Sequence, residues 1–296
     1  MLAVPNFATG DPATARRLQD AMAACGLRIL DIHHDADHWR TVISAEGGPD
    51  SIVAAALASN RVASDAIDMQ RYSGAHPAIG AVDVYPVVYP DPGQREEAIA
   101  TARDVARALG DAGVPVFLYG GLATSAERRE RAYFRRGGTS GLAARADIGE
   151  TPPDHGPARI DPRRGATLVT ARPPLLAFNV IVEGMDAETA AAIAAEIRER
   201  EDGGLPGVRA LAIPLAAPDT SMDDPKATRR QISTNIHDPL TIRPARVVEA
   251  VRARAEAAGG RVVAAEIVGL VPRQALADFP SDVPIEGFDP STQTLG

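Results

Sequence analysis

The chain has 296 residues, 45% hydrophobic and 24% charged, with 31 basic against 39 acidic side chains and a net charge of −8. That balance fits a folded globular protein of about two domains, at about 100–200 residues each, and excludes disorder as the main state. The acidic surplus argues against a nucleic-acid surface, no apolar run approaches the roughly 18 residues of a membrane helix, and one cysteine, Cys25, excludes an internal disulfide or a multi-cysteine zinc site.

Leu2 to Phe7 reads as a strand, and Asp11-Pro12 as a helix start with Asp as cap and Pro in the first turn. Leu18, Ala21, Met22 and Cys25 continue at helical spacing until Gly26. Strands follow at Leu27–Ile32 and Arg40–Ala45, joined by a polar connection of His and Asp. Asp50–Met69 reads as a helix, Val82–Tyr89 as a strand, Glu96–Ala112 as a helix and Val114–Tyr119 as an apolar strand. The order as far as Tyr89 is β-α-β-β-α-β.

The same order returns after Arg172-Pro173-Pro174. It runs through a strand at Leu175–Val182, a helix at Asp186–Arg200, and strands at Val208–Leu215 and Gln231–Ile236. A helix at Pro244–Ala258 and a strand starting at Arg261 complete it. A polar loop, Ala216–Arg230, separates the middle strands, and Pro280–Gly296 reads as an irregular tail. The expected class is α+β. Two ferredoxin-like α/β subdomains, residues 1–174 and 175–296, would have helices outside and sheets facing across a ligand cleft.

Four groups of residues could carry chemistry. In His76-Pro77-Ala78-Ile79-Gly80-Ala81-Val82-Asp83, Pro77 biases His76 to extended backbone and Gly80 allows a tight turn. An imidazole at the mouth of a sheet can move protons near neutral pH; a loop or capping histidine is the plain alternative. His33-His34-Asp35-Ala36-Asp37-His38 has the residue types of a divalent metal site, but also reads as a polar loop that positions Arg40. Arg163, Arg164 and Arg172 could clamp carboxylates or sit on a solvated turn. Gln231, Ser233 and Asn235 share one sheet face, either solvent-exposed or walling a cleft. The only lysine, Lys226, lies in a segment of Asp, Pro and Thr, which makes lysine chemistry improbable.

The pattern resembles the glutamate formiminotransferase family. Val4-Pro5-Asn6-Phe7 with Gly10 is similar to its opening motif, and Asp35 to Val42 to its Asp-Pro-Asp-His-Asn-Arg loop. His76 to Asp83 matches His-Pro-x-x-Gly-Ala-x-Asp. Val114–Gly120, Pro153–Pro157, Pro162–Thr167, Ala171-Arg172, Ala177-Phe178-Asn179, Gln231–Asn235 and Glu266–Pro272 follow in family order. The resemblance spans nearly all of Leu2 to Phe279. It implies transfer of a formimino group from N-formimino-L-glutamate to tetrahydrofolate, a step of histidine degradation, with the folate in a tunnel between facing sheets and no metal required.

By the same resemblance, His76 inherits the catalytic role. Arg40, Arg163, Arg164 and Arg172 become candidates for substrate carboxylates. Asn6, Trp39, Asp83, Asn179, Gln231 and Asn235 complete the expected substrate and folate contacts. Ala8-Thr9 stand where members carry Ser-Glu, Trp39 replaces an asparagine, and His33 stands where animal members have Asp. These departures, and the Ala216–Arg230 segment, leave two alternatives: a related formyl or formimino transferase with another amino-acid donor, and a folate-binding protein without catalysis. Expected partners are small-molecule substrates and a second copy of the chain, with no nucleic acid and no membrane. With no leader pattern in Met1–Gly10, the expected compartment is the cytoplasm. Later ring closure of the product is expected on a different polypeptide.

Overall fold

A computed structural model describes residues 1–215 and 229–295. The chain divides into two compact units, Met1–Pro173 and Pro174–Gly296. Most of the polar loop read at Ala216–Arg230, and Lys226 within it, lies outside the described residues.

The first unit runs β1 (Leu2–Ala3), β2 (Asn6–Phe7), α1 (Pro12–Ala23), β3 (Arg28–Asp35), β4 (Arg40–Glu46) and α2 (Pro49–Ala66). It continues with β5 (Val82–Val88), α3 (Arg95–Asp111), β6 (Val116–Leu118), α4 (Arg131–Arg135), α5 (Gly138–Asp147) and β7 (Thr167–Arg172). The opening strand is split because Pro5 has no N–H to give the ladder. Asp11 caps α1 by accepting from the backbone N–H groups of Ala13 and Thr14, with Pro12 in the first turn.

Strand β3 pairs with β4, β4 with β1 and β2, and these with β5, all antiparallel. This is the ferredoxin-like order 4-1-3-2. Strands β7 and β6 extend the sheet beyond β5 in parallel. Helices α1, α2 and α3 cover one face, where Leu18, Met22, Ile52, Val105 and Leu109 pack on Phe7, Ile43, Tyr85 and Val169.

The opposite face differs from the bare surface expected. Over β5, β7 and β6 it is covered by α4 and α5, whose Phe134, Leu142 and Ala146 pack on Val84, Phe117 and Leu168. Its other end, over β2, β4 and the start of β5, carries polar side chains, among them Asn6, Arg40 and Asp83.

The second unit contains β8 (Leu176–Glu183), α6 (Ala187–Ile197), β9 (Val208–Pro214), β10 (Arg230–Ile236), α7 (Pro244–Ala257) and β11 (Arg261–Val268). Its sheet order, β11-β8-β10-β9, repeats the 4-1-3-2 arrangement. Ile193, Ile197, Val247 and Val251 of the helices pack on Phe178, Val180 and Ile232. The chain closes with β12 (Val271–Pro272), β13 (Ile285–Glu286) and β14 (Thr294–Leu295). The tail read as irregular is thus tied down: β13 pairs with β11 and β14 with β12.

Candidate active site

The polar end of the first sheet is organised by a bulge. Asn6 lies opposite Val84 and Phe7 opposite Val82, so Asp83 is the extra residue on β5. A bulge re-aims the side chain it carries. Here it sends a carboxylate fully out of solvent, where it must be satisfied. One oxygen of Asp83 accepts the Ile79 N–H at 3.0 Å. The other accepts from Arg40 Nη1 at 3.3 Å and from Arg135 Nη2. Asn6 Oδ1 accepts from Arg40 Nη2, so the Arg40 guanidinium is held from two sides.

The segment before β5 carries His76 over this cluster. It is stitched to the Arg163–Ala166 turn by Ala81 N–H to Arg164 O at 2.8 Å and Ala166 N–H to Ile79 O at 2.9 Å. The two backbones approach so closely that glycine is required. A Cβ on Gly80 would lie 2.2 Å from the Ala166 carbonyl oxygen, and one on Gly165 (φ +72°) would lie 2.1 Å from that of Ile79. The Tyr72 hydroxyl reaches the carbonyls of His38, at 3.1 Å, and of His76.

His76 Nδ1 lies 2.9 Å from the Pro77 carbonyl oxygen and 3.1 Å from Arg40 Nη1. With the proton on Nδ1, Pro77 accepts it and Nε2 carries the lone pair. In the other tautomer Arg40 donates to Nδ1 and Nε2 carries the proton. Either way Nε2 is the atom left to act on a substrate.

Burial, and then the charges of Arg40, Arg135 and Arg131, hold the His76 imidazole well below its ordinary 6.5. Burial also lowers the Arg40 guanidinium to about 10, against the opposing pull of Asp83. For Asp83, burial alone would raise the carboxyl; Arg135 and Arg40 outweigh it and keep it below the ordinary 3.8. At neutral pH the site therefore holds a neutral imidazole beside an ionised arginine–aspartate cluster. Such an imidazole takes a proton only transiently, and once protonated it is a strong acid.

The predicted His–Asp loop is largely strand. His33, His34 and Asp35 belong to β3, where they pair with Val42, Thr41 and Arg40. Asp35 accepts from His38 Nδ1 at 2.8 Å and from the His38 backbone N–H at 2.9 Å. Burial pushes the Asp35 carboxyl up, but the His38 bonds outweigh it and bring it to about 2. This arrangement braces a turn that delivers Arg40. Trp39 sits in that turn at φ 47°, 38% exposed, with its ring edge-on to Tyr72 at 5.9 Å.

Asn6, Arg40, His76 and Asp83 are thus brought together. Arg163 and Arg164 are not part of that set: both are exposed, facing Asp68 at 3.3 Å and Asp161 at 3.8 Å. Arg172 ends β7, half-buried, its guanidinium lowered to about 10 by burial, with Tyr119 opposing and Arg131 adding to the shift. In the second unit, Asn179 Nδ2 and Gln231 Nε2 both donate to Glu266 Oε2, at 2.7 and 2.9 Å. Asn235 shares a strand face with Gln231, opposite Ala177 of β8. Sequence reading missed Arg131 and Arg135; their i, i+4 spacing was the available signal. It also missed Tyr72, and it placed Glu266 in a family motif without its link to Asn179 and Gln231.

Comparison with known proteins follows the same outline. A profile described as "Formiminotransferase domain, N-terminal subdomain" matches residues 1–172, and one described as "Formiminotransferase domain" matches residues 177–281. A glutamate formimidoyltransferase of Thermoplasma acidophilum is 35% identical, covering 97% of this chain and 93% of its own. Another, of Streptococcus pyogenes serotype M1, is 32% identical, covering 99% and 96%. A formimidoyltransferase-cyclodeaminase of Gallus gallus is 34% identical over 93% of this chain, which spans 50% of that protein.

Proposed function

The chain belongs to the formiminotransferase family, and from that premise we propose that it transfers the formimino group of N-formimino-L-glutamate to N5 of tetrahydrofolate. The products are glutamate and 5-formiminotetrahydrofolate, and the step belongs to histidine degradation. The observation that carries this reading is the neutral His76, held over an arginine–aspartate cluster, with no hydrogen-bond partner for Nε2 among the described residues.

The chemistry needs one proton moved twice. As the attacking amine bonds to the amidine carbon it must lose a proton, which His76 Nε2 accepts. The imidazolium so formed, destabilised by its cationic neighbours, returns that proton to the departing glutamate nitrogen. The step uses the tautomer with its proton on Nδ1, in which the Pro77 carbonyl accepts that proton and Nε2 carries the lone pair. Arg40 is a positioning residue, fixed by Asn6 and Asp83 against the imidazole. Both substrates carry carboxylates, and the local arginine surplus suits them in an otherwise acidic protein. Holding the two substrates together supplies much of the remaining acceleration.

A donor panel tests the assignment. Purified protein and tetrahydrofolate are offered N-formimino-glutamate, N-formyl-glutamate and N-formimino-glycine, and products are read by mass spectrometry. The expected result is efficient 5-formiminotetrahydrofolate formation from N-formimino-glutamate. Efficient transfer from N-formyl-glutamate alone, or from no donor, contradicts the reading.

A further inference from the structure

The arginines of the first unit's α4 and sheet end are unequally matched. Arg40 and Arg135 share Asp83, and Arg128 is taken by Asp154 at 2.8 Å. Among the described residues Arg131 and Arg172 face no carboxylate at ion-pair distance, and Arg172 bonds only to the Pro173 carbonyl, at 3.0 Å. Both are half-buried. Arg135 Nε is buried with no hydrogen-bond partner.

The elements set these groups in a row. Phe134 anchors α4 in the second core cluster of the unit, and Arg131 and Arg135 stand one turn apart on it. Arg135 reaches Asp83 on β5, so Arg131 lies about 6 Å away along the helix. Arg172 shares a face of β7 with Leu168 and Thr170, and lies about 13 Å beyond Leu168, the partner of Val84. The field of Arg131 acts in both directions, depressing the His76 imidazole and the Arg172 guanidinium. Like charges at i, i+4 weaken a helix, and half-buried unpaired guanidiniums are unfavourable, unless an anion joins them.

We propose that Arg131 and Arg172, with the unpartnered Nε–H of Arg135, form a subsite for a carboxylate of the formimino donor remote from its reacting carbon. It rests on the reading of His76 as the centre of formimino transfer, and it makes the enzyme choose a dicarboxylic donor. Arg131 and Arg135 act on His76 itself, which favours the donor as the source of the anion. The glutamate of folate is separated from N5 by a rigid aminobenzoyl spacer.

The test compares wild type, Arg131→Gln, Arg131→Lys and Arg172→Gln. Each is first checked by thermal melting, then assayed for KM with either substrate varied. The wild type must transfer from N-formimino-glutamate; if it does not, the functional reading fails before the subsite is examined. Given that activity, Arg131→Gln and Arg172→Gln are expected to raise the KM for N-formimino-glutamate roughly tenfold to a hundredfold, with kcat changed far less. The wild-type preference for N-formimino-glutamate over N-formimino-glycine should collapse in Arg131→Gln and be partly restored in Arg131→Lys. Glutarate alone should raise the melting temperature of the wild type more than that of Arg131→Gln. An unchanged donor KM, or a rise confined to the KM for tetrahydrofolate, overturns the proposal.

Discussion

His76 owes its chemistry to its neighbours rather than to its exposure. Three arginines and burial disfavour its charged form, so the imidazole stays neutral to a lower pH than an ordinary histidine. The acid limb of kcat/KM should therefore fall below pH ~6.5, the ordinary value. Removing the charge of Arg40 takes away one of those disfavouring terms, so Arg40→Gln should move the limb to higher pH as well as lower the rate. A pH–rate profile of the two proteins checks both; a limb unmoved or shifted down would contradict the electrostatic account. Trp39 is the single tryptophan and holds a left-handed backbone conformation that asparagine adopts more easily. Trp39→Asn should leave the melting temperature unchanged or raised, and a fall of several degrees would show that the edge-on contact with Tyr72 outweighs the strain. At this scale His76, Arg40, Asp83 and Asn6 were legible because they lie in contiguous motifs. Arg131 and Arg135 were not, because their meaning depends on Arg135 reaching Asp83, and on Arg131 acting on His76, across the fold.

The bulge at Asp83 and the Gly80–Gly165 contact make the site a property of elements. Asp83 is the counter-charge of two guanidiniums whose side chains are each 14% exposed. Asp83→Asn should cost about 3–5 kcal/mol, because it leaves both cations uncompensated. Urea unfolding measures it, and a loss below about 1 kcal/mol, the scale of a surface pair, would contradict the assigned role. The folded carboxyl titrates below its ordinary 3.8. Its contribution is therefore complete above that pH and lost as pH falls through the folded value. Most elements were legible from caps and periodicity, as at Asp11-Pro12 and Asp186. The misses have physical causes. Helices α4 and α5 are short, broken by Gly137 and Gly138, and bury only Phe134, Leu142 and Ala146, which leaves no helical stripe to detect. Strand β7 was hidden behind Arg163-Arg164, whose charges suggested a binding turn. The β3–β4 hairpin extends through His33 to Asp35 because cross-strand pairing overrides the polarity of those residues.

Across the whole chain, a net charge of −8 contrasts with the local arginine surplus beside His76. That contrast repels anions in general while the arginine set admits those that fit. The twofold β-α-β-β-α-β order was readable along the chain, and both units show the 4-1-3-2 sheet it implies. Strand β6 was readable within Val114–Tyr119, but its parallel pairing was not, because its partner β7 was not recognised as a strand. If reduced folate binds the native protein, it should stabilise it by linkage, by about 2.7 kcal/mol at a hundred times its Kd. Melting with and without folinic acid reads this, and a flat response at saturation would contradict folate as co-substrate.

The central claim is that the neutral imidazole of His76 moves the proton in formimino transfer. Its most direct test is His76→Asn, assayed with N-formimino-L-glutamate and tetrahydrofolate after melting has shown that the variant folds. Asparagine keeps a polar side chain but cannot shuttle a proton near neutral pH. The account predicts a loss of turnover of roughly two to four orders of magnitude, with folinic acid still raising the melting temperature. Near wild-type turnover in a folded His76→Asn protein would contradict it.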